Sequence, residues 1–439
     1  MFRVLALTLL FVSASSAMAF AGQADLILRG GNVLTEDPSR QIVEAVAIAG
    51  EQIRAVGSNE EVQRVAGPQT RIVDLGGRTV IPGLIDAHVH LLLAQRIIDE
   101  PSLREYERAV LPQTLSGFLA HGVTTVRSAG DPWPFIAEIR ERLESRALVG
   151  PRLVIVGPAI AAPGGHPIPT VCRDNLFCRE RAVREVAGEE QARQVIRDLT
   201  RTRGVDQVKV VIDHTQSPTP SEMVLAAIVD ESRRSGRRVI AHASGGAKTS
   251  SALGLGFDEL VHTPWSMGQD DAGFAATLVA RKMRVTTTVS NFEAYKGAGG
   301  EEFFVFGSTY NPGIRQIFER GLKTVRVLAD AGVTLVVGTD WYAAPLPIAD
   351  ARALPGARTI HEMDLLRRGG LSTSTILTAA TRNAAEALGM IDKVGTIAEG
   401  KLADLVILDG NPLQSLEVLQ RPLAVVQGGR VVHGALPGR

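Results

Sequence analysis

Short apolar runs alternate with longer amphipathic stretches through the middle of this 439-residue chain, and that alternation limits the folds open to it. Eight of the runs have the length and composition of β-strands. They are the run ending at His90, then Gly122–Arg127, Pro151–Val156, Gln207–Ile212, Arg238–His242, Glu259–His262, Val285–Val289 and Thr334–Asp340. Helical patterns separate them, such as Glu189–Arg203, Ser221–Ser235 and Ile314–Ala331.

Eight β/α alternations predict an α/β protein with a TIM-like (β/α)8 barrel at its centre. An open doubly wound sheet is the competing fold, but no glycine-rich phosphate-binding motif follows any of the runs. The two chain ends contain short strands and turns, and neither end has enough strands to bury a core alone. We therefore predict one β-sandwich domain from residues 22–80 and 391–439, and a barrel domain from residues 81–390.

The first 21 residues have the pattern of a signal peptide rather than of a folded segment. Arg3 supplies a positive charge, Val4–Val12 is an apolar run, and Ala17-Met18-Ala19 fits a cleavage site. The apolar run is too short to cross a bilayer, and no later stretch is long enough. A retained membrane anchor is the alternative. We predict a periplasmic or secreted protein that has no membrane anchor after cleavage.

The chain has two cysteines, Cys172 and Cys178, and both lie in one polar, loop-like stretch. An oxidising compartment favours a disulfide between them. Two free thiols, or a pair of metal ligands without further cysteine partners, are the alternatives.

Overall charge argues against a nucleic-acid partner. Lys plus Arg and Asp plus Glu both number 47, and no basic cluster interrupts that balance. We expect a small-molecule substrate instead. The sequence does not determine the oligomeric state, so a homo-oligomer stays open.

Polar residues that can bind a metal fall at the ends of the predicted strands. His88 and His90 end the first strand, His242 the fifth, His262 the sixth and Asp340 the eighth. The active site of a parallel barrel lies at this end, and side chains two apart on a strand share a face. Each residue alone has an ordinary alternative, such as a hydrogen-bonded core histidine or a helix-capping aspartate. Together they predict a metal centre.

Lys209 lies inside the fourth predicted strand, between Val208 and Val210. Its side chain faces the barrel interior if those two valines face the helices. A buried, unpaired ammonium tends to lose its proton. The neutral amine can add carbon dioxide and become a carbamate that bridges two cations. A salt-bridged lysine and a lysine that contacts substrate are the alternatives.

Several motifs resemble those of the amidohydrolase superfamily. Pro82–His90 resembles its signature at the first barrel strand, Gly122–Arg127 its second strand and Gly338–Asp340 its eighth. Thr381–Gly389 and Gly395–Pro412 are similar to the family's segments that lead from the barrel back into the terminal domain. The resemblance is to the prolidase-like and imidazolonepropionase-like branch, and it extends over nearly the whole mature chain.

The resemblance implies a binuclear centre with two divalent metal ions, zinc being the expected metal. His88, His90 and Asp340 would hold the buried ion. His242 and His262 would hold the exposed ion, and N6-carboxylated Lys209 would bridge the two.

Two departures from the family pattern affect the residues near the substrate. Pro163–His166 resembles the family's Gly-Gly-His loop, in which His166 would face the substrate, but Pro167 replaces the usual glycine. Val261–Pro264 stands where related chains often show Glu-His-Gly, which keeps the ligand but changes the loop. We also predict that Tyr295 and Tyr342, in loops after strands, contact substrate.

The implied reaction is hydrolysis of an amide or peptide-like C–N bond in an N-acyl amino acid or dipeptide. Two divalent ions would activate a shared water, and Asp340 would carry its proton to the leaving group. A mononuclear hydrolase or deaminase acting on a cyclic, carbamate or lactone substrate is the main alternative. A non-catalytic binding protein is disfavoured, because the ligand set is complete.

Overall fold

A computed structural model describes residues 22–39, 42–202, 204–213, 217–243, 245–265, 271–293, 295–296, 302–303, 312–343 and 350–438. The predicted signal peptide lies outside these ranges, so its prediction stands untested. Across the described part of the chain, no helix has both the length and the apolar character needed to cross a bilayer.

The strands, in chain order, are β1 (Ala24–Arg29), β2 (Asn32–Leu34), β3 (Ile42–Val43), β4 (Ala45–Ala49), β5 (Gln52–Gly57), β6 (Ala66–Asp74), β7 (Thr79–Pro82), β8 (Leu84–His90), β9 (Val123–Ser128), β10 (Arg152–Ile155), β11 (Ala159–Ala161), β12 (Val183–Glu185), β13 (Gln207–Val211), β14 (Arg238–His242), β15 (Glu259–Val261), β16 (Arg284–Thr287), β17 (Tyr295–Lys296), β18 (Glu302–Phe303), β19 (Thr334–Val337), β20 (Trp341–Tyr342), β21 (Leu405–Leu408), β22 (Ala424–Gln427) and β23 (Arg430–Gly434). The α-helices are α1 (Asn59–Gln63), α2 (Glu100–Ala109), α3 (Leu111–Ala120), α4 (Phe135–Glu144), α5 (Leu176–Ala182), α6 (Glu189–Thr200), α7 (Glu222–Arg234), α8 (Ala247–Ala252), α9 (Asp271–Ala280), α10 (Pro312–Asp330), α11 (Ala357–Arg368), α12 (Thr373–Ala379) and α13 (Arg382–Leu388).

All eight predicted barrel strands are present, and each pairs in parallel with at least one other of the eight. They belong to two sheets, ordered β10-β9-β8-β20 and β12-β11-β13-β14-β15-β16-β19. The sheets adjoin at both edges: the Asp340 amide donates to the His88 carbonyl at 2.7 Å, and the Asp206 amide to the Ile155 carbonyl at 2.8 Å. This arrangement fits a TIM-like barrel, although the described strands do not form one continuous closed ladder.

Burial explains why these segments take these structures. Strand β13 is buried on both faces, as expected for a parallel strand between the barrel interior and a helical layer. Helix α6 buries Ala192, Ile196 and Leu199, which recur at helical spacing on one side. Each fully buried aliphatic side chain contributes about 1.5–3 kcal/mol, so this apolar layer fixes the strand ends that carry the candidate site.

The two chain ends pair with each other, as predicted. Strand β7 is antiparallel to β21 within a sheet ordered β23-β22-β21-β7-β2-β3, and a second sheet has the order β5-β4-β1-β6. Leu28 and Val46 of the second sheet share one apolar cluster with Val80 and Leu405 of the first. The β-sandwich and the exact domain boundaries remain predictions.

Cys172 and Cys178 are paired in the structure, with an S–S distance of 2.10 Å and a Cα–Cα distance of 5.3 Å. The pair closes a loop between a π-helical turn, Ile168–Cys172, and helix α5.

Candidate metal centre

His88, His90 and Asp340 form a compact group of metal-binding atoms. Nε2 of His88 lies 3.2 Å from Oδ1 of Asp340, and Nε2 of His90 lies 3.0 Å from the same oxygen. The candidate ligand atoms of the three side chains lie within 4.8 Å of one another, and all three residues are buried. Two imidazoles and a carboxylate are a ligand set that suits a zinc-like divalent ion.

The backbone at this group is held in unusual conformations. Asp340 has a φ of 52° and His262 a φ of 82°, both in the left-handed region that side chains other than glycine seldom adopt. Such residues cost about 1–3 kcal/mol each and persist where the surrounding structure imposes them, often at functional sites. Gly338 allows the backbone just before Asp340 to lie close to His88 of strand β8, because a Cβ at this position would lie 2.8 Å from the His88 Cβ.

Lys209 reaches the same group from strand β13. Its Nζ lies 3.2 Å from Nε2 of His88, and the side chain is buried. Within the described ranges, no carboxylate forms an ion pair with it. Burial lowers the pKa of Lys209 from 10.5 to about 8; the charge of Asp340 opposes this shift, and the charge of Arg127 adds to it. The described residues thus provide neighbouring carboxylates but no direct ion pair for Lys209, and its role stays a prediction.

His242 and His262 complete the set of predicted ligands. The His262 ring lies 4.8 Å from the His88 ring, and its Nδ1 lies 3.9 Å from Oδ2 of Asp340. The His242 ring lies 4.5 Å from that of His262. The fold thus brings all six predicted ligands together, with three in the compact group and three beside it.

The three residues predicted to contact substrate lie in different surroundings. The His166 ring stacks on the His242 ring at 4.4 Å, and its Nδ1 lies 2.6 Å from the Thr170 hydroxyl. Tyr342 is half-buried beside strand β8. Tyr295 is fully buried, and its hydroxyl donates to the Ser290 carbonyl at 2.7 Å. Packing encloses its ring among the described residues, and its contact with substrate stays a prediction.

Hydrogen bonds orient the compact group from behind. Nδ1 of His90 donates to the Gly130 carbonyl at 3.2 Å, so a neutral His90 presents its Nε2 lone pair to the centre. Asp86 accepts from the Thr339 hydroxyl and the Thr359 hydroxyl, both at 2.8 Å, and ties the two histidines' strand to the Asp340 segment. Burial raises the pKa of Asp86 to about 6.

A second hydrogen-bonded chain holds the Asp340 carboxylate. The Asn291 amide donates to Oδ2 of Asp340, and Nη2 of Arg358 donates to Oδ1 of Asn291 at 2.7 Å. The sequence analysis missed Asp86, Asn291 and Arg358. The alternation of strand β8 could have identified Asp86, because it shares a face with His88 and His90, whereas no motif marks the other two.

The protonation of His88 favours a metal. Burial lowers the pKa of His88 well below 6.5, and the nearby Lys209 charge lowers it further. His88 is consequently neutral at neutral pH and able to offer a lone pair. Among the described residues, Nδ1 of His88 has no hydrogen-bond partner although it is buried. The residues present therefore fit a divalent metal ion.

Comparisons with known proteins identify the family of this chain. Residues 79–432 match the model of the Amidohydrolase family. The chain is 28% identical over 376 residues to an imidazolonepropionase of Symbiobacterium thermophilum, covering 83% of each chain. It is 26% identical over 452 residues to a 5-methylthioadenosine/S-adenosylhomocysteine deaminase of Syntrophobacter fumaroxidans, covering 95% of this chain and 93% of that one.

One solved structure shares both fold and sequence with this chain. It is a prolidase complexed with N-methylphosphonate-L-proline, with a TM-score of 0.75 and 27% identity, covering 93% of this chain and 100% of the other. The family match extends over most of the chain and includes the strands that carry the compact group. The chain belongs to the amidohydrolase family and is a metal-dependent C–N hydrolase.

Proposed function

We propose that this enzyme hydrolyses an amide or peptide-like C–N bond in an N-acyl amino acid or dipeptide. The observation that carries the proposal is the compact group of His88, His90 and Asp340, with the buried amine of Lys209 3.2 Å from a group member. The relative named as a deaminase and the structural neighbour named as a prolidase support C–N chemistry.

We assign two divalent ions, zinc being the expected metal, to this site. The compact group would hold one ion and His242 with His262 the other, while N6-carboxylated Lys209 would bridge them. The buried Lys209 amine, which forms no ion pair in the described structure, supports the carbamate. When bound, the ions supply the Lewis acidity that activates water and polarises a carbonyl.

Asp340 would move the proton in this reaction. Its Oδ1 lies beside the two imidazoles, and its Oδ2 accepts from Asn291, so the carboxylate has a fixed orientation. It would take a proton from the attacking water and deliver it to the leaving nitrogen, which departs as a neutral amine. His166, stacked on His242, would donate a hydrogen bond to the substrate carbonyl oxygen.

A substrate screen tests the proposal. Purified mature protein is reconstituted with zinc and bicarbonate and assayed against N-acyl amino acids and dipeptides, including dipeptides with C-terminal proline. We expect release of the free amino acid, its loss on chelation and its return with metal. Absence of C–N cleavage across the library, with metal bound, would contradict the proposal.

A mononuclear hydrolase or deaminase is the second candidate. It is favoured by the finding that, within the described ranges, three residues form a compact group while His242 and His262 lie beside it. Metal analysis separates the two, because the binuclear enzyme retains two ions per chain and responds to bicarbonate. One ion per chain, indifference to bicarbonate and ammonia release from a cyclic amine would favour the second candidate.

We also propose that the enzyme works in the periplasm or outside the cell. The signal-peptide pattern of residues 1–21 and the paired cysteines support this location. Amino-terminal sequencing of the exported protein tests it, and an intact amino terminus on cytoplasmic protein would contradict it.

A further inference from the structure

Arg173 lies in the loop closed by the Cys172–Cys178 disulfide and has no acidic partner there. Its Nε donates to the Thr170 carbonyl at 3.1 Å, and no carboxylate of the described residues accepts from its guanidinium. The side chain is exposed, with a φ of 49° at its backbone. Terminal N–H groups in this position are suited to bind a carboxylate through two parallel hydrogen bonds.

Arg173 lines a cavity of about 50 Å³ between the segment that follows strand β8 and the disulfide-closed loop. That volume suits a group of carboxylate size. Most of the lining residues are apolar, and none of those described is Asp or Glu. The apolar ones include Leu92, Leu93, Ile97, Pro132, Val171 and Phe177. An anion attached to an apolar body matches such a cavity.

The cavity adjoins the candidate metal centre on its other side. Tyr342, which also lines it, pairs with His90 across strands β20 and β8. Tyr342 therefore belongs both to the cavity wall and to the strand next to a residue of the compact group. Thr170, another lining residue, is hydrogen-bonded to His166.

We propose that Arg173 determines specificity by binding the free carboxylate of the substrate's amino-acid portion. The inference deepens the proposed function and rests on it, because it selects substrates with a carboxylate beside the scissile C–N bond. Arg173 directly follows Cys172, so the disulfide restrains the backbone that carries the guanidinium. Neutral amides and esters of the same compounds lack this contact and bind more weakly.

Binding of simple probes tests the assignment without turnover. The metal-loaded mature protein and its Arg173→Met variant are titrated calorimetrically with 3-phenylpropanoate and with 3-phenylpropanamide. Loss of a charge-assisted contact is expected to weaken carboxylate binding about 10-fold or more, while amide binding changes less than about threefold. Arg173→Lys is expected to retain part of the preference for the carboxylate.

Arg179→Met is the matched control. It removes the same charge from helix α5, directly after the disulfide-closed loop, but Arg179 pairs with Glu185 at 3.3 Å and does not line the cavity. We expect this variant to bind both probes like the unmodified protein. Three results would overturn the assignment. They are that Arg173→Met weakens binding of both probes equally, that it weakens binding of neither, or that the wild type binds the two probes with equal affinity.

Kinetics separate this inference from the proposed function. With an N-acyl amino acid, Arg173→Met should raise KM and leave kcat within about threefold, whereas the corresponding N-acyl amino amide should show neither change. Carboxylate-selective probe binding without any C–N cleavage would refute the proposed function and leave the Arg173 assignment standing. C–N cleavage that depends neither on Arg173 nor on the substrate carboxylate would support the proposed function and refute the Arg173 assignment.

Discussion

Two polar clusters lie along the parallel strands, and they differ in how fully their charges are paired. The lower cluster consists of Arg127, Gln207 and Glu259. Arg127 donates to the Ala87 carbonyl at 2.7 Å, to Gln207 at 2.9 Å and to both oxygens of Glu259. The Thr286 hydroxyl also donates to Glu259. Every charge in this lower cluster therefore has a partner, although Arg127 and Glu259 are almost completely buried.

The upper cluster is the candidate metal centre, and its charges are incompletely paired. Lys209, two residues beyond Gln207 on strand β13, forms no ion pair in the described structure. Nδ1 of His88 is also buried without a hydrogen-bond partner among those residues. Burial of charge alone thus does not identify a functional site. Incomplete pairing at the C-terminal ends of the strands does, because a bound ligand can supply what the protein lacks.

The largest expected effect is on catalysis in the upper cluster. Asp340→Asn should lower kcat about 10³-fold, because the amide cannot accept the proton of the attacking water. The fold should be retained, as judged by circular dichroism, and metal should still bind. Glu259→Gln in the lower cluster, assayed per folded molecule, should leave kcat within a few-fold. Unchanged turnover in Asp340→Asn would assign the proton transfer to another base.

The second prediction compares the free energy of unfolding of two variants. Glu259→Gln should destabilise the protein by about 3–5 kcal/mol, because it leaves the Arg127 charge buried with a neutral partner. Lys209→Met in the metal-free protein should be neutral or stabilising, because it removes a buried charge that forms no ion pair in the described structure. Urea denaturation measures both. Equal destabilisation of the two variants would abolish the distinction between the clusters.

A smaller effect is expected on the pH dependence of stability. It compares a well-paired carboxylate with an incompletely paired one, both outside the predicted metal ligands. Burial acts to raise the pKa of Glu293, but His361 and the charges of Arg352 and Arg368 hold it below 4.5. Burial raises the pKa of Glu362 above 4.5, and its partners include the amides of Val289 and Ser290. These hydrogen bonds do not fully offset the cost of burying the charged Glu362 carboxylate.

The signs of the two pH dependences are opposite. The folded pKa of Glu293 is depressed, so its stabilisation is present above pH 4.5 and is lost as the pH falls below that value. The folded pKa of Glu362 is raised, so wild type should gain stability relative to Glu362→Gln as the pH falls from about 7 to about 4.5. Denaturation of wild type, Glu293→Gln and Glu362→Gln across this range checks both. Parallel curves would contradict the account.

The sequence predicted those parts of the fold and site that follow from local periodicity. All eight barrel strands were predicted, because parallel strands buried on both faces form apolar runs. The convergence of five of the six ligands followed from their positions at strand ends, and that of Lys209 from its interior position on the fourth strand. His88 and His90 also share a face, because strand side chains alternate.

Residues whose role depends on long-range packing were not predictable in this way. Tyr295 was assigned to the substrate pocket because it follows a strand, and only the folded chain shows that its ring is buried and that its hydroxyl contacts the Ser290 backbone. Arg358 and Asn291 are 67 residues apart in sequence, and only the folded chain brings them together behind Asp340. No local pattern encodes such a contact.

Native mass spectrometry tests the central claim, that the incompletely paired cluster is a metal centre, most directly. Mature protein reconstituted with zinc and bicarbonate should carry two ions and one carbon dioxide adduct per chain. The adduct should be absent from Lys209→Met, and His88→Asn should lose at least one ion. A wild-type chain that retains no ion, or a His88→Asn variant that binds metal as fully as wild type, would contradict the account.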